Sequence, residues 1–230
     1  MNATGPVVAL NNLRFDWDAV PCLDIPAFTL DAGEQVFLYG PSGSGKSTLL
    51  NLLAGVLVPG AGEVAILGTP LSTLSGAGRD RFRADHLGLI FQQFNLIPYL
   101  SVFENVLLPC RFSARRRAQA GDMRAAAARL LGHLDLDAAL WQRRADGLSV
   151  GQQQRVAAAR ALIGAPGLII ADEPTSALDA GRQDAFLDLL TRECAANAAA
   201  LIFVSHDQRL AARFSRTLAL SDINRAGVAA

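Results

Sequence analysis

The chain has 230 residues, enough for one large domain or two small ones, and its 51% hydrophobic content is ample for a buried core and argues against disorder. Lys and Arg number 21 and Asp and Glu number 21, so the formal charge is zero and the basic field of a dedicated nucleic-acid-binding protein is missing. The mean hydropathy is +0.25, yet Gly, Pro or charge interrupts every apolar run before the roughly 18 residues that a spanning helix needs.

The N-terminal residues and the cysteines indicate the compartment. Residues 1–6 have no basic region leading into an apolar one, so no secretory signal is predicted and we expect the chain to stay in the cytosol. Cys22, Cys110 and Cys194 are widely spaced and form no CxxC pattern. This spacing predicts reduced packing residues rather than a disulfide framework or a metal site.

Short apolar runs alternate with longer stretches of helical periodicity, an arrangement typical of an α/β fold. Near the N-terminus, residues 7–15, 27–30 and 63–67 are separated by glycines and predict a separate antiparallel β layer. Continuously apolar runs predict the strands of a central sheet covered on both faces, at residues 35–39, 86–91, 167–171 and 200–204.

The strand ending at Tyr39 runs into a glycine-rich loop and then a helix, with the Walker A spacing GxxxxGKS. Its glycines let backbone N–H groups and the helix N-terminus face a phosphate. We expect Lys46 to hold the β- and γ-phosphates and Ser47 to supply a hydroxyl to Mg²⁺. The predicted nucleotide-binding residues of this motif are Gly40, Pro41, Ser42, Gly43, Ser44, Gly45, Lys46, Ser47 and Thr48.

From about residue 101 to residue 160 the strand signals vanish and Ala, Leu and Arg dominate, which predicts a helical insertion. Near its start, Arg115–Arg117 is interpreted as an exposed helix face without a function. The preceding segment, residues 94–109, is apolar where a globular protein would prefer a polar loop. Exposed apolar surface of this kind predicts a partner.

Two adjacent carboxylates end the apolar strand that begins at Leu168. Two such acids are more often a helix cap or a surface pair, but a strand of this kind brings them to the sheet edge beside the Walker A loop, which is the Walker B arrangement. Asp172 is expected to reach Mg²⁺ through its water shell, and Glu173 to polarise the water that attacks the γ-phosphate.

The last two motifs are a helix start, Leu148–Arg155, with the sequence LSVGQQQR, and His206 just after a buried strand. Taken alone, they are a helix cap and a packing histidine. With all motifs in order, the chain resembles the nucleotide-binding subunit of an ATP-binding cassette (ABC) transporter over about residues 7–222. The resemblance implies a P-loop α/β fold with a mostly parallel central sheet, an antiparallel β subdomain and an α-helical subdomain. In that fold residues 1–95 and 160–230 form the core with the β subdomain, and residues 96–160 form the helical subdomain.

The resemblance also implies that the signature helix closes on the ATP held by a second copy of the chain, so that two copies enclose two ATP molecules. Ser149, Gly151 and Gln152 are then the contacts to the partner's nucleotide. Val150 departs from the glycine usual in the signature LSGGQ. Asp179 matches the D-loop residue that couples the two sites.

Three further assignments follow from the same resemblance. Gln92 contacts Mg²⁺ and the attacking water, although Gln93 beside it leaves the choice open. His206 contacts the γ-phosphate. Trp17 stacks on the adenine, with Phe15 as the alternative.

The ending Glu-Asn-Val-x-x-Pro of the apolar segment resembles the lipoprotein-releasing LolD and macrolide-exporter MacB group, which includes FtsE-like proteins. By that resemblance residues 94–109 receive an integral-membrane permease of the FtsX/MacB type, and the chain lies on the cytoplasmic face of the bacterial inner membrane, touching it only through the permease. An amino-acid or metal-complex importer remains an alternative. A soluble ABC ATPase acting on DNA or ribosomes fits less well, because the chain has one Walker A motif and zero net charge.

Overall fold

The computed structural model describes residues 5–176 and 178–226, so the predictions on residues 1–4 and on Ala177 of the D-loop lie outside the described residues. The strands are β1 Val8–Trp17, β2 Val20–Leu30, β3 Gln35–Tyr39, β4 Ala61–Ile66, β5 Thr69–Pro70, β6 Leu87–Ile90, β7 Leu168–Asp172, β8 Ala200–Val204 and β9 Arg216–Ala219. The α-helices are α1 Lys46–Leu53, α2 Gly76–His86, α3 Val102–Phe112, α4 Ala114–Ala120, α5 Met123–His133, α6 Val150–Leu162, α7 Ala180–Ala196 and α8 Leu220–Ile223.

The predicted N-terminal β layer is present as an antiparallel sheet with the strand order β2-β1-β4-β5. The first hairpin closes where Trp17 pairs with Val20. Between them Asp18 and Ala19 have φ values of 46° and 67°. Consecutive residues with positive φ are the geometry of a tight hairpin turn that follows the twist of its strands. This turn sets Trp17 at the end of β1.

The central sheet has five parallel strands in the order β6-β7-β8-β3-β9. The four strands predicted from continuous apolar runs are confirmed, with shifts of about one residue at the ends of β6 and β7. Strand β9 escaped prediction because it is only four residues long and includes Arg216 and Thr217. The α/β fold class expected from the sequence is therefore confirmed.

The two faces of the parallel sheet bury different hydrophobic clusters. Along β3, Phe37 faces the cluster that contains the helices α3, α5, α6 and α7. Its neighbours Val36 and Leu38 face the other cluster, which contains the antiparallel sheet and α1. Because successive side chains of a strand point to opposite faces, the strands β3, β6, β7 and β8 each contribute to both clusters. Coverage of both faces explains why these strands are continuously apolar.

The helical segment contains α3 to α6, as predicted, but two expectations about its surface hold only in part. Arg115 and Arg117 are exposed, as expected. Arg116 is not part of an exposed face: it is 2% exposed, and its Nη2 donates to the carbonyl oxygens of Leu87 and Ala161, each at 3.0 Å. Burial lowers its pKa to about 10. These carbonyls lie inside the protein, where an arginine can satisfy two acceptors at once.

The apolar segment 94–109 also exposes less than expected. Phe94 is buried, and α3 turns Val102, Phe103 and Val106 toward the core, where they are buried as well. The large hydrophobic side chains exposed in this region are Tyr99 within the segment and Phe91 and Phe112 on its flanks. Any partner surface is therefore narrower than the sequence indicates.

The predicted role of the cysteines is confirmed for two of the three. Cys110 and Cys194 are fully buried, and all three cysteines are free. Burial raises the pKa of the Cys194 thiol to about 12, so it stays protonated near neutral pH. Both residues act as small apolar side chains in the helical cluster.

The contact between β6 and α6 leaves no room for a side chain at Gly88. A Cβ there would lie 2.4 Å from the carbonyl oxygen of Ala161. We expect Gly88→Ala to lower the free energy of unfolding by about 1–3 kcal/mol, measured by urea denaturation. The control is Gly132→Ala in α5, where a Cβ meets nothing within 4 Å, and it should be neutral or stabilising by up to about 1 kcal/mol. Equal midpoints for the two variants would contradict the close approach.

Candidate nucleotide-binding and hydrolysis site

Most of the predicted site residues follow the carboxyl ends of adjacent parallel strands. The glycine-rich loop follows β3, the paired carboxylates end β7, and His206 follows β8. Gln92 comes two residues after β6. The register aligns Asp172 with Val204 and Ala171 with Ile90. Because all these strands are parallel, the motifs meet at one edge of the sheet, where ligands of α/β proteins bind.

The glycine-rich loop turns through two left-handed glycines, Gly43 with φ 79° and Gly45 with φ 99°, and leads directly into α1. Gly45 precedes the helix without a side-chain cap, so the first N–H groups of α1 remain available to an anion. The Nζ of Lys46 donates to the carbonyl oxygens of Gly40 at 2.7 Å and Pro41 at 2.8 Å. These bonds hold the ammonium group across the loop.

Packing around the loop fits a bound phosphate. A Cβ at Gly40 would lie 2.9 Å from the Oγ of Ser44, and one at Gly45 would lie 2.9 Å from Leu23. The Ser44 hydroxyl is buried and has no hydrogen-bond partner among the described residues. Since an unsatisfied buried hydroxyl is costly, a phosphate oxygen is the kind of group that would complete this site.

Ser47 and Asp172 line one cavity of about 230 Å³ beside the loop. Burial and the neighbouring Glu173 raise the pKa of Asp172, while Lys46 acts in the opposite direction. A hydroxyl and a carboxylate are the hard oxygen ligands that Mg²⁺ prefers, and this ion usually takes one or two carboxylates together with substrate phosphates. The two residues therefore fit the predicted metal.

Glu173 and His206, predicted in separate motifs, are in direct contact. His206 Nδ1 and Glu173 Oε2 are 2.9 Å apart, with the histidine side chain 72% exposed and the carboxylate 14% exposed. Glu173 has a φ of 46°, and its N–H donates to the carbonyl oxygen of Val204 at 3.0 Å. This left-handed conformation turns the residue toward the next strand. A carboxylate held in this way can accept a proton from water.

Trp17 contacts the first turn of α1. Its Nε1 donates to the Oγ1 of Thr48 at 3.2 Å, and its side chain is 50% exposed. Phe15 packs edge-on against it at 5.0 Å and also contacts the core. Of these two aromatic rings, the indole is therefore the more exposed. Sequence reasoning missed Cys22, whose Sγ donates to the same Thr48 hydroxyl at 3.5 Å.

Ser149 and Gln152 close the start of α6 on each other. The Ser149 Oγ accepts from the Gln152 N–H at 3.4 Å, and the Gln152 Oε1 accepts from the Ser149 N–H at 2.9 Å. Together with Gly151 they line a different cavity from that of Ser47 and Asp172. Val150 beside them is 47% exposed. The signature residues thus form a surface site of their own.

The structure adds little to the predicted roles of Gln92 and Asp179. Gln92 and Gln93 are both exposed, and neither side chain forms a hydrogen bond within the described part of the chain, so the choice between them stays open. Asp179 caps α7, its Oδ1 accepting from the Arg182 N–H at 3.1 Å.

The comparisons with known proteins agree with this geometry. The sequence matches the ABC transporter family over residues 23–176. It is 42% identical to the lipoprotein-releasing system ATP-binding protein LolD of Anaeromyxobacter dehalogenans, over 94% of this chain and 91% of that protein. It is 45% identical to the uncharacterised ABC transporter ATP-binding protein YbbA of Escherichia coli K12, over 82% of this chain and 81% of that protein. The dimeric structure of the bacterial ABC transporter cassette MJ0796 matches with a TM-score of 0.82 at 34% identity, covering 92% of this chain and 93% of that one.

A parallel sheet that carries a glycine-rich phosphate loop and paired carboxylates at one edge defines a P-loop nucleotide-hydrolysing protein. More particularly, the chain belongs to the ABC transporter family, and it is an ATP-binding, ATP-hydrolysing subunit of that class.

The raised pKa of Asp172 predicts a cost in stability. A carboxyl group whose folded pKa exceeds its unfolded value favours folding less as the pH rises from the unfolded pKa to the folded one, and the full penalty is present above both. We expect Asp172→Asn, without nucleotide, to unfold at a higher temperature than the wild type at pH 7. This difference should shrink as the pH falls toward the ordinary value of 3.8. A variant less stable at pH 7 would show that the charge is favourably compensated.

Proposed function

We propose that this chain is the ATPase subunit of a lipoprotein-releasing transporter of the LolD type, driving an FtsX/MacB-type permease in the bacterial inner membrane. The observation that carries the proposal is the similarity to LolD proteins of two species, at 40% and 42% identity. None of the described helices combines the length and apolar composition that crossing a bilayer requires. We assign contact with the membrane, on its cytoplasmic face, to the permease.

An apolar groove of about 320 Å³ supports the permease assignment. It lies between β6 and α3, and its lining includes Leu89, Phe91, Leu108, Pro109 and Phe112. Phe91 is 40% exposed and Phe112 is 79% exposed. Two large aromatic side chains at one apolar groove are typical of a surface that receives a partner. Three residues of the predicted docking segment, residues 94–109, line this groove: Asn95, Leu108 and Pro109.

Within one subunit we assign the following roles. The loop from Gly40 to Thr48 binds the phosphates of ATP. Ser47, Asp172 and Gln92 hold Mg²⁺, which neutralises charge on the transferred phosphoryl group. Glu173 polarises the attacking water, His206 orients that carboxylate and contacts the γ-phosphate, and Trp17 stacks on the adenine. Residues 1–95 and 160–230 act as the core with its β layer, and residues 96–160 as the helical subdomain.

Between two subunits, the signature residues Ser149, Gly151 and Gln152 of each copy contact the nucleotide of the other, and Asp179 couples the two sites. This proposal rests on the dimeric state of the MJ0796 cassette and on the exposed position of the signature at the N-terminus of α6. Helix N-termini with free N–H groups favour anions. The backbone donor at Gly151 is retained despite Val150.

Glu173→Gln should convert a monomer into a stable dimer when Mg-ATP is added, because the variant binds ATP without hydrolysing it. We expect hydrolysis to fall by a factor of about 100 or more. Size-exclusion chromatography with light scattering measures the dimer. Adding Ser149→Arg to the same variant should abolish it. A Glu173→Gln chain that binds ATP yet stays monomeric would contradict closure of two isolated subunits.

Phe112→Asp should weaken association with the permease and leave the ATPase activity of the isolated chain unchanged. The test reconstitutes the chain with an FtsX/MacB-type permease of the same organism, then measures co-purification and ATP-dependent release of a lipoprotein from the membrane. The control is Val58→Asp, at an apolar side chain that is 46% exposed and does not line the groove. Co-purification with ATP-driven uptake instead of release would favour the importer alternative.

A further inference from the structure

Arg160, near the C-terminal end of α6, binds the turn that follows Gln92 and Gln93. Its Nη1 donates to the carbonyl oxygen of Asn95 at 2.7 Å, and its Nη2 donates to that of Phe94 at 2.6 Å. One guanidinium group thus binds two consecutive carbonyls. A planar fork of fixed geometry suits such a pair, and an ammonium group cannot reproduce it.

The turn is strained where the arginine binds it. Phe94 and Asn95 have φ values of 57° and 49°, so two successive residues other than glycine are in the left-handed region. Such conformations persist only where the surroundings enforce them. Burial of the Phe94 side chain supplies one restraint. The backbone supplies further restraints, because the N–H of Phe94 donates to the carbonyl oxygen of Phe91 at 2.9 Å and that of Asn95 to the carbonyl oxygen of Gln93 at 2.6 Å. The hydrogen bonds of Arg160 act on the two carbonyl oxygens of the turn, which these backbone bonds leave free.

The guanidinium group of Arg160 forms its hydrogen bonds with the carbonyl oxygens of this turn. Burial alone lowers its pKa, and no carboxylate among the described residues pairs with it. Arg160 is partly buried and lines the groove that contains Phe91 and Phe112. A partly buried cation is still costly unless polar groups satisfy it. The two carbonyl oxygens are its hydrogen-bond acceptors in the described chain, so arginine and turn depend on each other.

Helix α6 therefore connects two sites. It starts at the signature residue Ser149, and it ends where Arg160 binds the turn and the Ala161 carbonyl approaches Gly88 of β6. A helix of 13 residues is a rigid connection over that distance.

We propose that Arg160 is a positioning residue that ties the signature helix to the Gln92–Gln93 turn. Movement of α6 upon binding the partner's nucleotide then places the glutamine of the subunit's own site. This inference rests on the roles assigned above to the signature and to Gln92.

The test compares Arg160→Gln and Arg160→Lys with the wild-type chain. The matched control is Arg117→Gln, because Arg117 also donates to two backbone carbonyls, those of Cys110 and Arg111, away from the turn. Hydrogen–deuterium exchange reports on the amides of residues 92–97. Fluorescent ATP binding and steady-state hydrolysis give the Kd, kcat and Hill coefficient.

We expect Arg160→Gln to accelerate exchange at residues 92–97 without changing exchange in the loop 40–47. The Kd for ATP should change by less than about twofold, since the phosphate loop is intact, while kcat falls by a factor of about 10 to 100 because the glutamine is misplaced. The Hill coefficient should approach one. Arg160→Lys should be intermediate and Arg117→Gln should resemble the wild type.

Unchanged exchange at residues 92–97 in Arg160→Gln would overturn the proposal, as would an equal loss of kcat in Arg117→Gln. If Arg160→Gln does not fold, exchange and kcat of Arg160→Lys decide in the same way. A wild-type chain without ATPase activity would refute the assigned catalytic roles, and the exchange result would still decide whether Arg160 holds the turn.

Discussion

The parallel alignment of β6, β7, β8 and β3 is the constraint on which the site depends. Neighbouring strands lie about 4.8 Å apart, so the residues that follow them meet although they are distant in sequence. Glu173 and His206 are separated by 33 positions and form a hydrogen bond of 2.9 Å. A cluster of apolar side chains on each face holds the sheet in place. The positions of the site residues at the sheet edge therefore depend on the packing of both clusters. One of these clusters includes α6, which begins at the signature residues.

Much of this fold could be predicted from the sequence because buried parallel strands and phosphate loops have strong local patterns. The secondary-structure elements that the sequence did not predict lack such patterns. Helix α2 has no buried residue, so it shows no apolar periodicity. Strand β9 is stabilised by its pairing with β3, and it contains the charged residue Arg216. The burial of Arg116 could not be predicted, because the carbonyls that it satisfies belong to residues 29 and 45 positions away.

The residues of the site also fall into those that a local sequence pattern predicts and those whose contacts depend on the folded structure. The spacing of the Walker A loop is a local property, and so the sequence predicts it residue by residue. Contacts that depend on backbone dihedrals are not visible in sequence: Glu173 reaches His206 from a left-handed conformation, and Arg160 meets two carbonyls that such conformations turn toward it. Trp17 could be chosen as an aromatic residue at a suitable distance, whereas its bond to Thr48 depends on the hairpin turn and on the packing of α1.

The cap at the start of α6 has a consequence for the choice of residue there. The Ser149 hydroxyl accepts the Gln152 N–H, which uses one of its two lone pairs and leaves its own proton free to turn outward. An aspartate would cap the helix equally well, but its negative charge would repel a phosphate and it has no proton to offer. A serine at this position can therefore cap the helix and also donate a hydrogen bond to an anion. The capping bonds between Ser149 and Gln152 form within the single chain, so the first turn of α6 is already closed without a second molecule.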